Sequence, residues 1–343
     1  MMIDIEAVFL PIQTISGNPC FLRRKTMDRF LRGSSPQTVR RGGIRRYFKR
    51  DWQLYLLLML PVIFVIIFKY AAYPGLRMVF MNYRPARGFG GSEWVGFGTF
   101  ERVLRDADFH RALKNSLIFN SLDLLLGFPV PIILALMLNE LRFSRFKRIS
   151  QTVLYLPHFL SWVIIASVAY TLFKPESGLI NIVLMNLRWI DKGIPFLTEK
   201  WHWAGTYLLI AIWQNMGWGT IIYLAAMTSI STELYEAATV DGAGRMRKIW
   251  HVTLPGIRST TVTLLIMNLG RIMGSNFERL DSFGNVQVKE FQYQLAIYIY
   301  EKGLAGGNFS RAAAVGLVQS LVGLILVIAA DRFAKRLGED GLI

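Results

Sequence analysis

Glu236-Ala237-Ala238-Thr239-Val240-Asp241-Gly242-Ala243-Gly244, followed by Arg245 to His251 and closed by Val252-Thr253-Leu254-Pro255, is the stretch on which the reading of this chain turns. Ser231 or Thr232 ahead of it can cap a short helix, and Glu233 and Glu236 lie where a helix dipole favours negative charge. Leu234, Ala237 and Ala238 fall at i, i+3 and i+4, which makes a small, mostly apolar face that another protein's backbone can approach closely. Gly242 and Gly244 permit a sharp turn. Arg245, Arg247 and Lys248 then lie on a second short helix, and Pro255 suits the first turn of a third.

Apolar blocks stand on both sides of this loop. Of 343 residues 53% are hydrophobic and only 18% charged, and the mean hydropathy is +0.35, a balance unlike that of a soluble domain. Blocks of about 20 apolar residues are long enough to cross a bilayer. Six are expected, at 54–73, 113–139, 152–173, 205–230, 259–278 and 312–330. The fold class is therefore an all-α polytopic membrane protein with six transmembrane helices. Its parts are a basic cytoplasmic tail (1–52), a transmembrane domain (53–330) holding the loop at 231–258, and a second cytoplasmic tail (331–343).

Cytoplasmic segments of membrane proteins collect Lys and Arg. With the N-terminus inside, the inside segments hold 22 of the 39 Lys and Arg and the outside segments 14. Arg142, Arg145, Lys147 and Arg148 cluster tightly beside two spans and support the same orientation, with both termini cytoplasmic. The loop at 231–258 is then cytoplasmic. This arrangement also accounts for the net charge of +16 without any nucleic-acid partner. Outside, the glycines between Gly88 and Gly98 mark a turn-rich surface segment, and 99–112 reads as a short amphipathic helix at the membrane interface.

Several chemistries are excluded. Cys20 is the single cysteine, so no intrachain disulfide forms. His110, His158, His202 and His251 are far apart in sequence, and no metal site is expected from them. No HExxH, CxxC or GxxxxGK[ST] pattern occurs. Any nucleotide chemistry must come from another chain, and this one is not expected to be an enzyme.

The quoted stretch resembles the EAA motif of type I ATP-binding-cassette (ABC) importer permeases: Glu-Ala-Ala, three residues, Gly, nine residues, then Ile-x-Leu-Pro. Val252 replaces the usual Ile and the rest of the spacing agrees. The resemblance extends over about 50–340 and is to the carbohydrate, maltose-type branch, nearest the polysaccharide and alginate importers. It is carried by Asn115-Ser116-Leu117, by Leu156-Pro157-His158-Phe159-Leu160-Ser161-Trp162, and by the run from Gly307 to Leu317 with the Gly-rich end Gly338 to Leu342.

The resemblance implies the type I importer permease fold in a bacterial inner membrane. It implies a second homologous permease, two ATP-binding subunits that use ATP and Mg, and an extracytoplasmic solute-binding protein. It also implies a docking role toward the ATPase for Glu236, Ala237, Ala238, Asp241, Gly242 and Arg245. Transport would proceed by alternating access about a site near the membrane midplane.

Polar side chains inside spans are costly and mark candidate substrate contacts. Those expected along the path are Trp213, Gln214, Asn215 and Trp218; Asn268, Arg271 and Asn276; Asn120 and Asp123; and Trp162. Buried amides also serve as links between helices. Arg271 has two roles open to it: meeting a carboxylated sugar, or pairing with Asp123 or another acid. Gly270 and Gly274 read as a helix-packing pair, and His158 after Pro157 as a kink-site residue. The cargo is then an acidic, alginate-like oligosaccharide or a neutral one. A membrane transferase, the rival class, needs clustered acids or histidines that this sequence lacks.

Overall fold

The computed structural model describes residues 52–339, 341 and 342; all but the last residue of the tail expected at 1–52 lies outside the described residues. Residues up to 73 and residues from 74 onward form two separate compact units. In the first, α1 (Trp52–Val65) runs into a wide π turn at Ile66–Tyr70, and no residue of either is buried.

In the second unit, a hairpin departs from the all-α expectation. Strands β1 (Met81–Asn82) and β2 (Glu93–Trp94) pair antiparallel, Met81 opposite Trp94 and Asn82 opposite Glu93. The glycine-rich segment between them supplies the turns. Gly88, at φ +61°, occupies backbone space that L side chains rarely adopt.

Helices then follow in chain order. The 99–112 expectation becomes α2 (Gly98–Leu104) and the start of α3 (Ala107–Gly127). Asp106 caps α3 by accepting from the Asp108 amide. α3 continues through Phe128 into α4 (Pro129–Asn139), and together they make a 33-residue helix apolar enough to cross a membrane. Proline removes a backbone donor from a helix. The Pro131 carbonyl nonetheless gains a partner in the Thr220 hydroxyl of the long helix alongside.

Among the described residues, four helices are continuous and apolar enough to span: Trp52–Phe80, Ala107–Asn139, Lys200–Thr228 and Phe309–Arg336. The expected continuous helix at 152–173 is instead a bent pair, α5 (Ser144–Tyr155) and α6 (Trp162–Leu172), with an angle of 103° between them. Pro157 lies in the tight turn Leu156–Phe159, and Ser161 restarts the helix by accepting from the Ile164 amide. If this pair is one span, the number rises to five. After α7 (Leu179–Asn186) comes α8 (Lys200–Thr228), the most buried of the spans.

The expected span at 259–278 is corrected as well. Beyond α9 (Thr232–Val240) and α10 (Arg245–Lys248), α11 (Arg258–Gly270) stops after 13 residues. An irregular turn at 271–276 precedes α12 (Phe277–Phe283). Backbone carbonyls freed inside a membrane must find partners within the protein. Here the Asn120 amide donates to the Ile272 and Gly274 carbonyls at 2.8 and 3.1 Å, and Gln319 donates to Met273 at 2.8 Å. The last two helices are α13 (Leu295–Tyr298) and α14 (Phe309–Arg336).

Two apolar cores hold this unit. One, around Phe119, Trp203, Tyr207, Leu280, Phe283 and Tyr298, lies toward the end of α8 that begins at Lys200. The other, around Ala135, Leu138, Tyr223, Met227 and Ile257, lies toward the end of α8 that leads into α9. Gly217 of α8 meets α5 so closely that a Cβ there would stand 2.0 Å from the Leu154 carbonyl oxygen. The Gly270/Gly274 expectation divides. Gly270 is at the crossing of α11 and α14, against Val327 and Gly323, whereas Gly274 lies in the irregular turn.

Candidate functional site

The loop between α8 and α11 folds as two short helices around a glycine turn. Ser231 caps α9 by accepting from the Glu233 amide at 3.3 Å. The helix closes with Gly242 at φ +71°, donating to the Thr239 carbonyl, while Ala243 donates to Ala238. This left-handed position is what requires glycine there. Glu236, Ala237, Asp241, Gly242 and Arg245 are exposed and Ala238 is half-buried. On the inner side, Tyr235 is half-buried and its hydroxyl is hydrogen-bonded to that of Thr253 at 2.9 Å. Past α10 the backbone makes a π turn, Ile249–Thr253, and the Leu254 amide reaches back to the Ile249 carbonyl.

The polar residues of the spans gather into two groups and a remainder. In the first, the guanidinium of Arg279, on α12 and 5% exposed, donates to the Tyr207 hydroxyl at 2.7 Å and to the Asp123 carboxylate at 3.1 Å. It also stands over the rings of Tyr207 and Trp162, at 4.3 and 5.6 Å from their centroids. Asp123 and Trp162 thus meet through a residue just beyond the span expected at 259–278. Pairing with Asp123 was one of the roles open to Arg271; Arg279 takes that place, because the break after Gly270 brings α12 back toward Asp123 of α3 and Tyr207 of α8. An arginine set between Phe277 and Leu280, three residues after a capping Asn276, was the available signal.

In the second group, Gln214 is buried and donates to the His158 carbonyl at 3.4 Å. His158 stacks on exposed Trp218, ring centroids 4.9 Å apart and 12° from parallel. The Nδ1 atom of His158 is buried and has no hydrogen-bond partner among the described residues. Beyond the kink position expected from Pro157, the structure gives His158 a ring stack and an unused polar atom beside Gln214 and Trp218.

The remaining candidates do not converge in the same way. Trp213 is exposed, and Asn215 and Asn268 turn their amides back onto the Ala211 and Leu264 carbonyls of their own helices. Asn276 caps α12, and Asn120 bridges to the broken segment. Arg271 is exposed, with no ion pair among the described residues.

At the end of α8 that begins with Lys200, ion pairs and helix-capping bonds tie the fold together. Lys200 pairs with Glu290 and holds its carboxyl below the usual range, and the His202 and Trp201 amides do the same for Glu199. Among the described residues no three His, Cys, Asp or Glu side chains come together as a metal site.

Residues 127–339, from the end of α3 through the loop between α8 and α11 to just past α14, match the model of a family described as the binding-protein-dependent transport system inner membrane component. The chain belongs to that family. Like other members, this permease is a multi-pass inner-membrane component of an ABC transporter and not its catalytic subunit; ATP is used by the partner ATPase.

It is 42% identical over 294 residues to protein LplB of Bacillus subtilis (strain 168), covering 86% of this chain and 92% of that one. It is 43% identical over 289 residues to the polygalacturonan/rhamnogalacturonan transport system permease protein YteP of the same organism, covering 84% and 89%. Among solved structures, it resembles a chain of a bacterial alginate ABC transporter in complex with an alginate pentasaccharide-bound periplasmic protein. That likeness has 36% identity and a TM-score of 0.77, and covers 87% of this chain and 99% of the other. These likenesses put the permease in the sugar-importer branch of the family.

Proposed function

We propose that this permease forms half of the translocation path of an importer for an acidic oligosaccharide. A second homologous permease completes the path, an extracytoplasmic solute-binding protein delivers the sugar, and two ATP-binding subunits drive alternating access. In this reading both termini are cytoplasmic and the membrane domain has six spans, the bent pair α5–α6 and the broken pair α11–α12 each crossing once. Glu236, Ala237, Ala238, Asp241, Gly242 and Arg245 dock the ATPase.

The observation that carries the drive mechanism is the loop itself. It presents a capped helix whose outer residues are exposed and small or acidic, closed by a glycine whose backbone conformation few other residues adopt. Acidic cargo is supported by two relatives whose names specify polygalacturonan/rhamnogalacturonan and alginate. Arg271 adds an exposed cation in the broken segment of the path. Sugar rings favour flat aromatic faces, and Trp213, Trp218 and His158 offer them. Gln214, Asn215, Asn268 and Asn276 offer amides, while Asn120, Asp123 and Trp162 shape the wall through their bonds to the 271–276 turn and to Arg279.

Neutral cargo is the second reading, supported by a 28% identical arabinooligosaccharide permease of Bacillus subtilis (strain 168) that covers 89% of this chain. Uptake by the whole transporter in proteoliposomes, with the solute-binding protein and matched uronic and neutral oligosaccharides, separates the two. Preference for the neutral sugars overturns the acidic reading.

A further inference from the structure

The docking helix α9 hangs between two spans, and the question is which of them it moves. Toward α8 it is joined by a short turn, in which the Ser229 and Ile230 amides donate to Ala226 and Met227. Toward α11 it has two side-chain links. Lys248 Nζ donates to the Thr239 hydroxyl at 2.6 Å, but both residues belong to the loop's own surface and the lysine is long and flexible. The other link is the bond between the Tyr235 and Thr253 hydroxyls.

Thr253 is 1% exposed, and its β-branched side chain is stiff at χ1. It closes the π turn, a wide and intrinsically weak helical form, just ahead of Pro255, whose missing amide leaves that turn without a regular helical bond. The Thr253 carbonyl then accepts from the Ile257 amide at the entry to α11. Tyr235 is half-buried on α9 with Ala238, while Glu236 and Ala237 are exposed, so the same helix carries an outward face and an inward tether.

We propose that the Tyr235–Thr253 hydrogen bond is the joint through which displacement of the docking helix is passed to α11. Tyr235 and Thr253 are positioning residues: they touch neither sugar nor nucleotide. The inference rests on the docking role proposed above for the outer face of α9. Without the bond, the π turn flexes and absorbs part of the displacement. The ATPase subunits then cycle with fewer sugars moved per ATP.

The test uses the complete transporter with its solute-binding protein in proteoliposomes, measuring ATP hydrolysis and sugar uptake together. Tyr235→Phe and Thr253→Val each remove one hydroxyl with almost no change of shape, and Thr253→Ser keeps it. We expect copurification of the ATP-binding subunits with all three. Uptake per ATP should fall about fivefold, on the scale of one buried hydrogen bond, in Y235F and T253V, fall no further in the double variant, and stay near wild type in T253S. Unchanged uptake per ATP in Y235F and T253V overturns the proposal. So does loss of the ATP-binding subunits from those variants, because the bond would then be maintaining the docking surface. Failure of the docking role itself reads differently: Glu236→Lys would leave copurification and uptake intact.

Discussion

In the docking loop the charged groups are turned outward and held loosely: Glu236, Asp241 and Arg245 are exposed, and the fold there depends on backbone, a serine cap and a left-handed glycine. In the span interior the arrangement is reversed. Arg279 is buried and engaged on every side, by Asp123, Tyr207 and the face of Trp162. The loop therefore withstands changes of side chain but not of backbone conformation, whereas the interior depends on its side chains being complete. Unspent polar groups on the loop suit the docking role proposed for it, whereas the interior spends its polar groups on holding helices together.

The sharpest way to break that comparison is at Arg279. Replacing it with Leu leaves Asp123 without its cation at a half-buried position, and removing one partner of a buried pair costs about 3–5 kcal/mol. Arg279→Leu should reach the membrane in reduced amount and melt well below wild type in detergent, and Asp123→Asn should do the same to a lesser degree. A melting temperature unchanged in both would mean that the interior pair is as loosely held as the loop.

A smaller effect belongs to Gly217, where a Cβ would collide with the Leu154 carbonyl and force α5 away from α8. Overpacking of this kind costs about 1–3 kcal/mol, so Gly217→Ala should lower thermal stability measurably but less than Arg279→Leu. Gly316, where a Cβ meets nothing within 4 Å, is the control: Gly316→Ala should be neutral or slightly stabilising.

The loop was legible in the sequence and the interior pair was not, for a physical reason. Residues 231–255 fold on themselves, so cap, small face, glycine and proline lie within one local window, and their spacing is their structure. Arg279 and Asp123 are separated by 156 residues, and they meet because the helix stops at Gly270, which hydropathy alone does not reveal. The same limit applies to the broken spans. Pro157 announced a kink near the right place, but the 103° turn is set by how α5 packs on Gly217 and α6 on α12. Asn120 was legible as a costly polar residue. That its amide satisfies the carbonyls of Ile272 and Gly274 required knowing that those carbonyls were free.

Next in size is Gly242. A side chain in the left-handed region costs about 1–2 kcal/mol, and the penalty falls on an exposed turn rather than on a core. Gly242→Val should therefore leave insertion and melting close to wild type while copurification of the ATP-binding subunits is lost. Retained copurification would show that the turn is not part of the docking surface. A large fall in melting temperature would show that the loop is braced like the interior.

The smallest effect on the fold is expected at Arg271, exposed and without an ion pair among the described residues. Surface substitutions of this kind change stability by less than about 0.5 kcal/mol, so Arg271→Gln should melt with wild type. Its consequence should appear only with cargo. If the proposed path passes this segment, where the helix is broken and Asn120 and Gln319 already hold the freed carbonyls, Arg271 is placed to meet a carboxylate. Uptake of uronic oligosaccharides should fall severalfold while that of neutral ones is unchanged. Equal loss for both classes would assign Arg271 to the conformational cycle instead. Arg279, further along the same segment but fully occupied, cannot take over its role, because its guanidinium is already committed to Asp123 and Tyr207.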